Sequence, residues 1–183
     1  MNVRTLCLAM LSMGDASGYE IKKQSVEGDW SHFVEASFGA IYPALRALEE
    51  GGYVTSRQEG DPGRPPRKVY AITEAGREAL MAAFTELPAP DVFRSEFLMH
   101  TLFAEDLSRA HLREIIDRRI AEYEDKKAHI ERMMERFIRP GPQWAGRLGL
   151  AMMTEELNYL RTHRAALEEI GHDEALPLQV AAE

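Results

Sequence analysis

Residues 59–67 read Glu-Gly-Asp-Pro-Gly-Arg-Pro-Pro-Arg, and a stretch with three prolines and two glycines cannot sit inside a helix or a central strand. It must be a loop. On either side, Tyr53 to Gln58 and Lys68 to Thr73 carry β-branched and aromatic residues, with Tyr70 and Ile72 on one side, as expected of two short strands. Three helical periods precede this ribbon. Val3, Leu6, Ala9, Met10 and Met13 recur at three- and four-residue spacing, and Leu8 and Leu11 widen their face. Asp15-Ala16-Ser17-Gly18 breaks that helix, and Ser17 can cap a second from about Gly18 to Val26. Glu27 to Glu35 reads as a loop or a loose helical turn around Trp30 and Phe33. A third helix is predicted from about Ser37 to Glu50, with Phe38, Ile41, Leu45 and Leu48 on one face, ended by Gly51-Gly52. Thr73 can cap a further helix from Glu74. Three helices and a two-stranded wing predict an N-terminal winged helix-turn-helix in a mainly α chain.

The Pro-containing segment Leu87 to Pro90 marks a joint, which divides the chain into residues 1–86, a joint at 87–91 and a helical domain at 92–171. That domain is expected to hold a short helix (about Val92 to Phe103) and two long ones, Ser108 to Ile138 and Gln143 to Gly171. Ser108 is the expected cap, and Pro140-Gly141-Pro142 the expected turn between the long helices. Residues 172–183 lack periodicity and are expected to fray.

The net charge of −8 argues against a nucleic-acid partner only until it is divided along the chain. Residues 1–76 carry eight basic and ten acidic residues, and four of the eight bases fall between Arg57 and Lys68. Phosphate affinity follows the local cationic surface, so duplex DNA stays open as a partner, with weak and salt-sensitive non-specific binding. The single cysteine, Cys7, allows no internal disulfide and no cysteine-based zinc site, and in its apolar run it reads as a core residue. The six histidines form no His-Glu-x-x-His spacing, and no glycine-rich phosphate loop follows a strand. No catalytic, metal or cofactor site is predicted. No apolar run reaches the roughly 20 residues of a membrane span, and the N-terminus lacks a signal-peptide layout, so a cytoplasmic protein is expected.

Subtracting the core positions of the third helix leaves Ser37, Gly39, Ala40, Tyr42, Pro43, Arg46 and Ala47. Small residues at 39 and 40 let backbone approach a duplex. Ser37 can bond a phosphate where the helix dipole helps, Tyr42 offers a hydroxyl, and Arg46 a guanidinium for phosphate or guanine. The other reading is a surface helix whose exposed side chains have no task. Pro43 bears on the choice, since proline in a helix interior costs about 3 kcal/mol relative to alanine. That cost shrinks if the helix begins near Gly39 or Ala40. In the wing, Arg64, Arg67 and Lys68 surround a Pro65-Pro66 pair that stiffens the tip, which suits insertion into a minor groove. Glu59 and Asp61 offset some of that charge. Lys22 and Lys23 are further phosphate candidates.

These residues resemble the PadR family of bacterial transcriptional regulators. The resemblance rests on Ser17-Gly18-Tyr19-Glu20-Ile21, on Ser37-Phe-Gly-Ala-Ile-Tyr-Pro-Ala-Leu-Arg-Ala-Leu-Glu49, on Gly52-Tyr53-Val54, on Gly63-Arg-Pro-Pro-Arg-Lys-Val-Tyr-Ala-Ile-Thr73 and on Gly76. Glu96-Phe97-Leu98 to Leu102-Phe103, with the helix pattern, is similar to the longer subgroup with a virulence-activator C-terminal region. Ser17 departs from a frequent family histidine. The resemblance implies a homodimeric repressor on a palindromic site, with DNA contacts by Tyr19, Ser37, Gly39, Tyr42, Pro43, Arg64 and Lys68.

Both long helices carry apolar residues on two sides, so one side is left for a second subunit. Trp144, Leu148 and Met152 form one such side and are candidates for a small aromatic or hydrophobic effector, with an interface or core anchor as the other reading. Winged helices also bind proteins, and a protein-interaction module without specific DNA binding is the alternative function.

Overall fold

The computed structural model describes residues 2–33, 39–60 and 66–173. They fall into two compact units, divided between Val92 and Phe93.

The first unit is built around α1 (Val3–Met13), whose Leu6 to Leu11 are all buried. Asn2 caps it by accepting from the Thr5 amide at 3.0 Å. Burial pushes the Cys7 thiol up to about 12, which keeps it protonated and unreactive. After Gly14-Asp15, Ala16–Ser17 forms β1, and α2 (Gly18–Val26) follows directly. Ser17 and Glu20 complete a reciprocal capping box at the start of α2. A short 3₁₀ turn (Asp29–His32) then leads on, and Trp30 packs against the core.

The third helix, α3 (Ile41–Glu50), starts later than its periodicity suggests. Gly39 and Ala40 form the turn before it, and Pro43 is its third residue. A helix's first amides have no partner within it, so a proline there forfeits no hydrogen bond. The far end closes as the glycine pair predicts. Gly52 adopts φ 73°, its amide donates to the Glu49 carbonyl at 3.0 Å, and the Tyr53 amide donates to Leu48 at 2.9 Å.

Strands β2 (Val54–Glu59) and β3 (Arg67–Ile72) pair antiparallel, from Val54 opposite Ile72 to Glu59 opposite Arg67. β1 adds to the free edge of β3, so the sheet order is β1-β3-β2. The sequence reading lacks β1 because two residues cannot show alternation; their partners, Tyr70 and Val69, lie far along the chain. Thr73 caps α4 (Glu74–Thr85) by accepting from the Gly76 amide. Ile41, Leu45, Leu48, Val54, Tyr70 and Leu80 join α1 in one core.

The second unit contains α5 (Glu96–Leu102), α6 (Arg109–Met134) and α7 (Pro140–Ile170). Ser108 caps α6 as expected. The proline pair does not make the turn between the long helices. Pro140, Gly141 and Pro142 are instead the first three residues of α7, because proline's fixed φ suits a first turn that needs no amide donor. Gln143 then donates to the carbonyls of Met134 and Phe137 at 2.7 and 2.6 Å, which closes the end of α6.

The long helices run antiparallel, as their cross-links show: Arg113 to Glu168, Asp117 to Arg164, Arg119 to Glu156 and Glu124 to Arg161. Residues 172 and 173 are tied to the start of α6. The His172 amide donates to the Leu107 carbonyl, the Arg109 amide donates to the His172 carbonyl at 2.7 Å, and Asp173 faces Arg109. Residues 174–183 lie outside the described residues.

Candidate nucleic-acid interface

The buried stripe of α3 fixes what its other face presents. Ile41, Ala44, Leu45 and Leu48 point into the core, which turns Tyr42, Pro43 and Arg46 to the solvent. Gly39 is exposed in the preceding turn, and a Cβ added there would meet nothing within 4 Å. Neither packing nor a left-handed backbone requires glycine at that position. Tyr19, on the first turn of α2, is 65% exposed, and Lys23 also faces outward, while Lys22 is half-buried. Arg46 and Lys23 form no ion pair among the described residues. Ser37 and Arg64 lie outside the described residues.

The base of the wing differs from an open cationic strip. Arg67 pairs with Glu20 at 3.2 Å and with Glu59, its cross-strand neighbour, at 3.4 Å. Arg57 holds Asp15 and Glu59, each at 2.6 Å. Lys68 lies 2.7 Å from a Glu49 oxygen and 5.1 Å from the centre of the Tyr70 ring. The Glu49 carboxyl is held below the usual range, first by its bond from Lys68 and then by that from Ser56, and Lys68 is raised in return. Glu20 is likewise lowered, chiefly by the Ser17 hydroxyl and amide and less by Arg67. The described wing cations therefore each hold a carboxylate already.

This architecture has matches. Residues 7–82 match the transcriptional regulator PadR-like family, and residues 93–168 match the virulence activator alpha C-term family. Residues 7–82 thus form a PadR-like domain and residues 93–168 a virulence-activator-type C-terminal domain. The negative transcriptional regulator PadR of Bacillus subtilis is 27% identical over 132 residues, covering 69% of this chain and 72% of that protein. The structure of smu.1604c from Streptococcus mutans has a TM-score of 0.77 at 29% identity, covering 90% of this chain and 99% of that one. Bacillus subtilis PadR has also been solved with operator DNA, with a TM-score of 0.69 at 23% identity over 90% of this chain and 98% of that one. Its complex with p-coumaric acid has a TM-score of 0.64 at 22% identity, over 91% and 99%. At those two identities the likeness is one of fold. The PadR-like chain described here is a winged-helix regulator of transcription, and its family and relatives are regulators and not enzymes.

The effector candidates of this regulator lie on α7, in the second unit. Trp144, Leu148 and Met152 lie four residues apart on α7 and all are exposed, Trp144 by 68%. The second unit also has an open groove of about 310 Å³ lined by other residues, among them Phe97, Leu98, Tyr159, His163 and Leu167. Among the described residues no cluster suits a metal ion, and no helix is long and apolar enough to cross a membrane. Sequence reasoning missed the acidic partners of the wing. The Ser17-x-x-Glu20 spacing was a readable signal for a capping box, but no local pattern links Glu49 to Lys68.

Proposed function

We propose that this PadR-like protein is a homodimeric repressor that lays α3 in the major groove of a palindromic operator, with its wing beside the adjacent minor groove. The exposed face of α3 carries the reading. Gly39, Tyr42, Pro43 and Arg46 gather on the side opposite the buried stripe, and Tyr19 and Lys23 of α2 are exposed as well. A backbone free of side-chain bulk, a phenol, an apolar ring and a guanidinium together suit the floor and walls of a groove. Ser37, Lys22, Arg64 and Arg67 complete the proposed surface. The repressor assignment draws support from Bacillus subtilis PadR, which is described as a negative regulator.

Dimerisation is supported by surplus apolar surface on the second unit. Leu98, Leu102, Trp144, Leu148, Met152 and Tyr159 are exposed there, more than a monomer in water usually leaves uncovered. An aromatic or hydrophobic effector is the ligand class proposed for the Trp144, Leu148 and Met152 face, in line with the p-coumaric acid complex of the Bacillus protein. The protein would act in the cytoplasm.

The test is titration of the full chain with duplex DNA from its own promoter over a salt series. Binding at low salt that weakens steeply as salt rises is expected. Tyr42→Ala and Arg64→Ala should each reduce affinity by about tenfold with the sedimentation of the dimer unchanged. Absence of binding at low salt would overturn the reading, and unchanged affinity in both variants would overturn the proposed face.

A further inference from the structure

Glu49 sits in the last turn of α3, where the negative end of the helix dipole disfavours a carboxylate. Helix chemistry gives no reason for it. Its contacts do. One oxygen accepts a hydrogen bond from the Ser56 hydroxyl of β2 at 2.5 Å, and the other takes the Lys68 ammonium of β3 at 2.7 Å. A single side chain on the recognition helix therefore grips both strands of the wing near its base. The neighbouring residue on β3, Arg67, leaves the strand on the opposite face and is held by Glu20 of α2 at 3.2 Å. The second oxygen of Glu20 is spent on the Ser17 cap. Each helix of the helix-turn-helix thus fastens one side of the central strand.

We propose that Glu49 is a positioning residue for DNA binding, which sets the angle between α3 and the wing through Lys68 and Ser56, and that Lys68 contacts no phosphate. This rests on the DNA-binding reading above. Geometry supports the second half as well as the first. To reach a phosphate, Lys68 would have to leave a carboxylate 2.7 Å away and strand it at a helix C-terminus. If it stayed, the phosphate would approach the Glu49 charge. Arg46 and Lys23 face no such choice among the described residues.

The experiment compares the full-length wild type with Glu49→Gln, Lys68→Met, their combination, and the charge exchange Glu49→Lys with Lys68→Glu. Each is titrated with the promoter duplex over a salt series, and amide hydrogen exchange in β2 and β3 is followed without DNA. Each single variant should lose about three- to tenfold in affinity, the combination should lose no more than either, and the exchange should recover most of the loss. The slope of log affinity against log salt should stay at the wild-type value, and exchange in β3 should quicken in Glu49→Gln. A slope reduced by about 0.9 in Lys68→Met would mark a lost phosphate contact and overturn the proposal. Additive losses, tighter binding by Glu49→Gln, or unchanged hydrogen exchange would overturn it as well. A wild type that fails to bind at low salt would instead overturn the DNA-binding reading, and the positioning role with it.

Discussion

The ring of Tyr42 lies directly over Gly18, so that a Cβ built on Gly18 would stand 2.8 Å from Tyr42 Cε1. Gly18 opens α2 and Tyr42 is the second residue of α3, so this contact sets how the two helices of the motif cross. The ring is held on one side by the Gly18 backbone and left 48% exposed on the other. A phenol fixed in this way reaches the solvent in one orientation, which lowers the entropy cost of any contact it makes there.

Gly18→Ala should therefore displace Tyr42 without unfolding the protein. The methyl group meets the edge of an exposed ring that can swing away, and Leu45 Cδ1, at 3.6 Å from the same position, is in ordinary contact. The melting temperature is expected to fall by less than about 5 °C, a cost near 1 kcal/mol. Affinity for the promoter duplex should fall by about tenfold, as if a directed contact were lost. Thermal denaturation and DNA titration on the same sample check both parts.

Gly39→Ala gives the complementary result. The added methyl meets nothing in the protein, and alanine is at least as good as glycine in an ordinary backbone conformation, so stability should hold or rise slightly. If the open space over Gly39 is where a groove wall approaches, affinity should still drop by about tenfold. Equal affinity in the variant and wild type would remove Gly39 from the proposed surface.

The sequence made most of the first unit legible because its signals are local. Ser17 and Thr73 cap the helices they precede, as Ser108 does in the second unit, and Gly52 takes the left-handed conformation after α3. What was not legible depends on distant partners. β1 exists only because β3 passes beside Ala16 and Ser17. The prolines of residues 140–142 are equally able to break a helix or to start one, and only the Gln143 bonds across the end of α6 decide between these. On the candidate site, the exposed face of α3 follows from its periodicity. The pairing of Arg67 and Lys68 does not, since their carboxylates come from α2 and α3.

Gly76 has no such freedom to move. A Cβ there would lie 2.1 Å from the Tyr53 carbonyl oxygen and 2.8 Å from Ile72 Cγ1, and the first of these is backbone. The start of α4 would have to lift away from the strand ends, and the Thr73 hydroxyl, which both accepts from the Gly76 amide and donates to the Gly52 carbonyl, would lose its geometry. Gly76→Ala should destabilise the first unit by about 2 to 3 kcal/mol. Urea denaturation followed by a probe in that unit should show the loss, and a midpoint within error of the wild type would contradict the packing described.

Acid should act on the second unit through Glu168. Its carboxyl is lowered from 4.5 to about 2, first by hydrogen bonds from Arg113 and then by those from Arg164. Arg113 reaches across from α6 at 2.8 Å, and Arg164 approaches from one turn earlier on α7 at 2.7 Å while also holding Asp117. A depressed folded value means that the unfolded chain takes up a proton first. The contribution of Glu168 is thus complete above pH 4.5 and is lost as pH falls toward about 2. Glu168→Gln removes that contribution at every pH, so the variant should be less stable than the wild type at pH 6 and should converge on it by pH 2 to 3. Other carboxylates titrate in the same window, and for that reason the readout is the difference between the two urea midpoints, which cancels what they share. A difference that stays constant from pH 6 to pH 3 would mean that Glu168 is not ion-paired in solution as its two arginine contacts require.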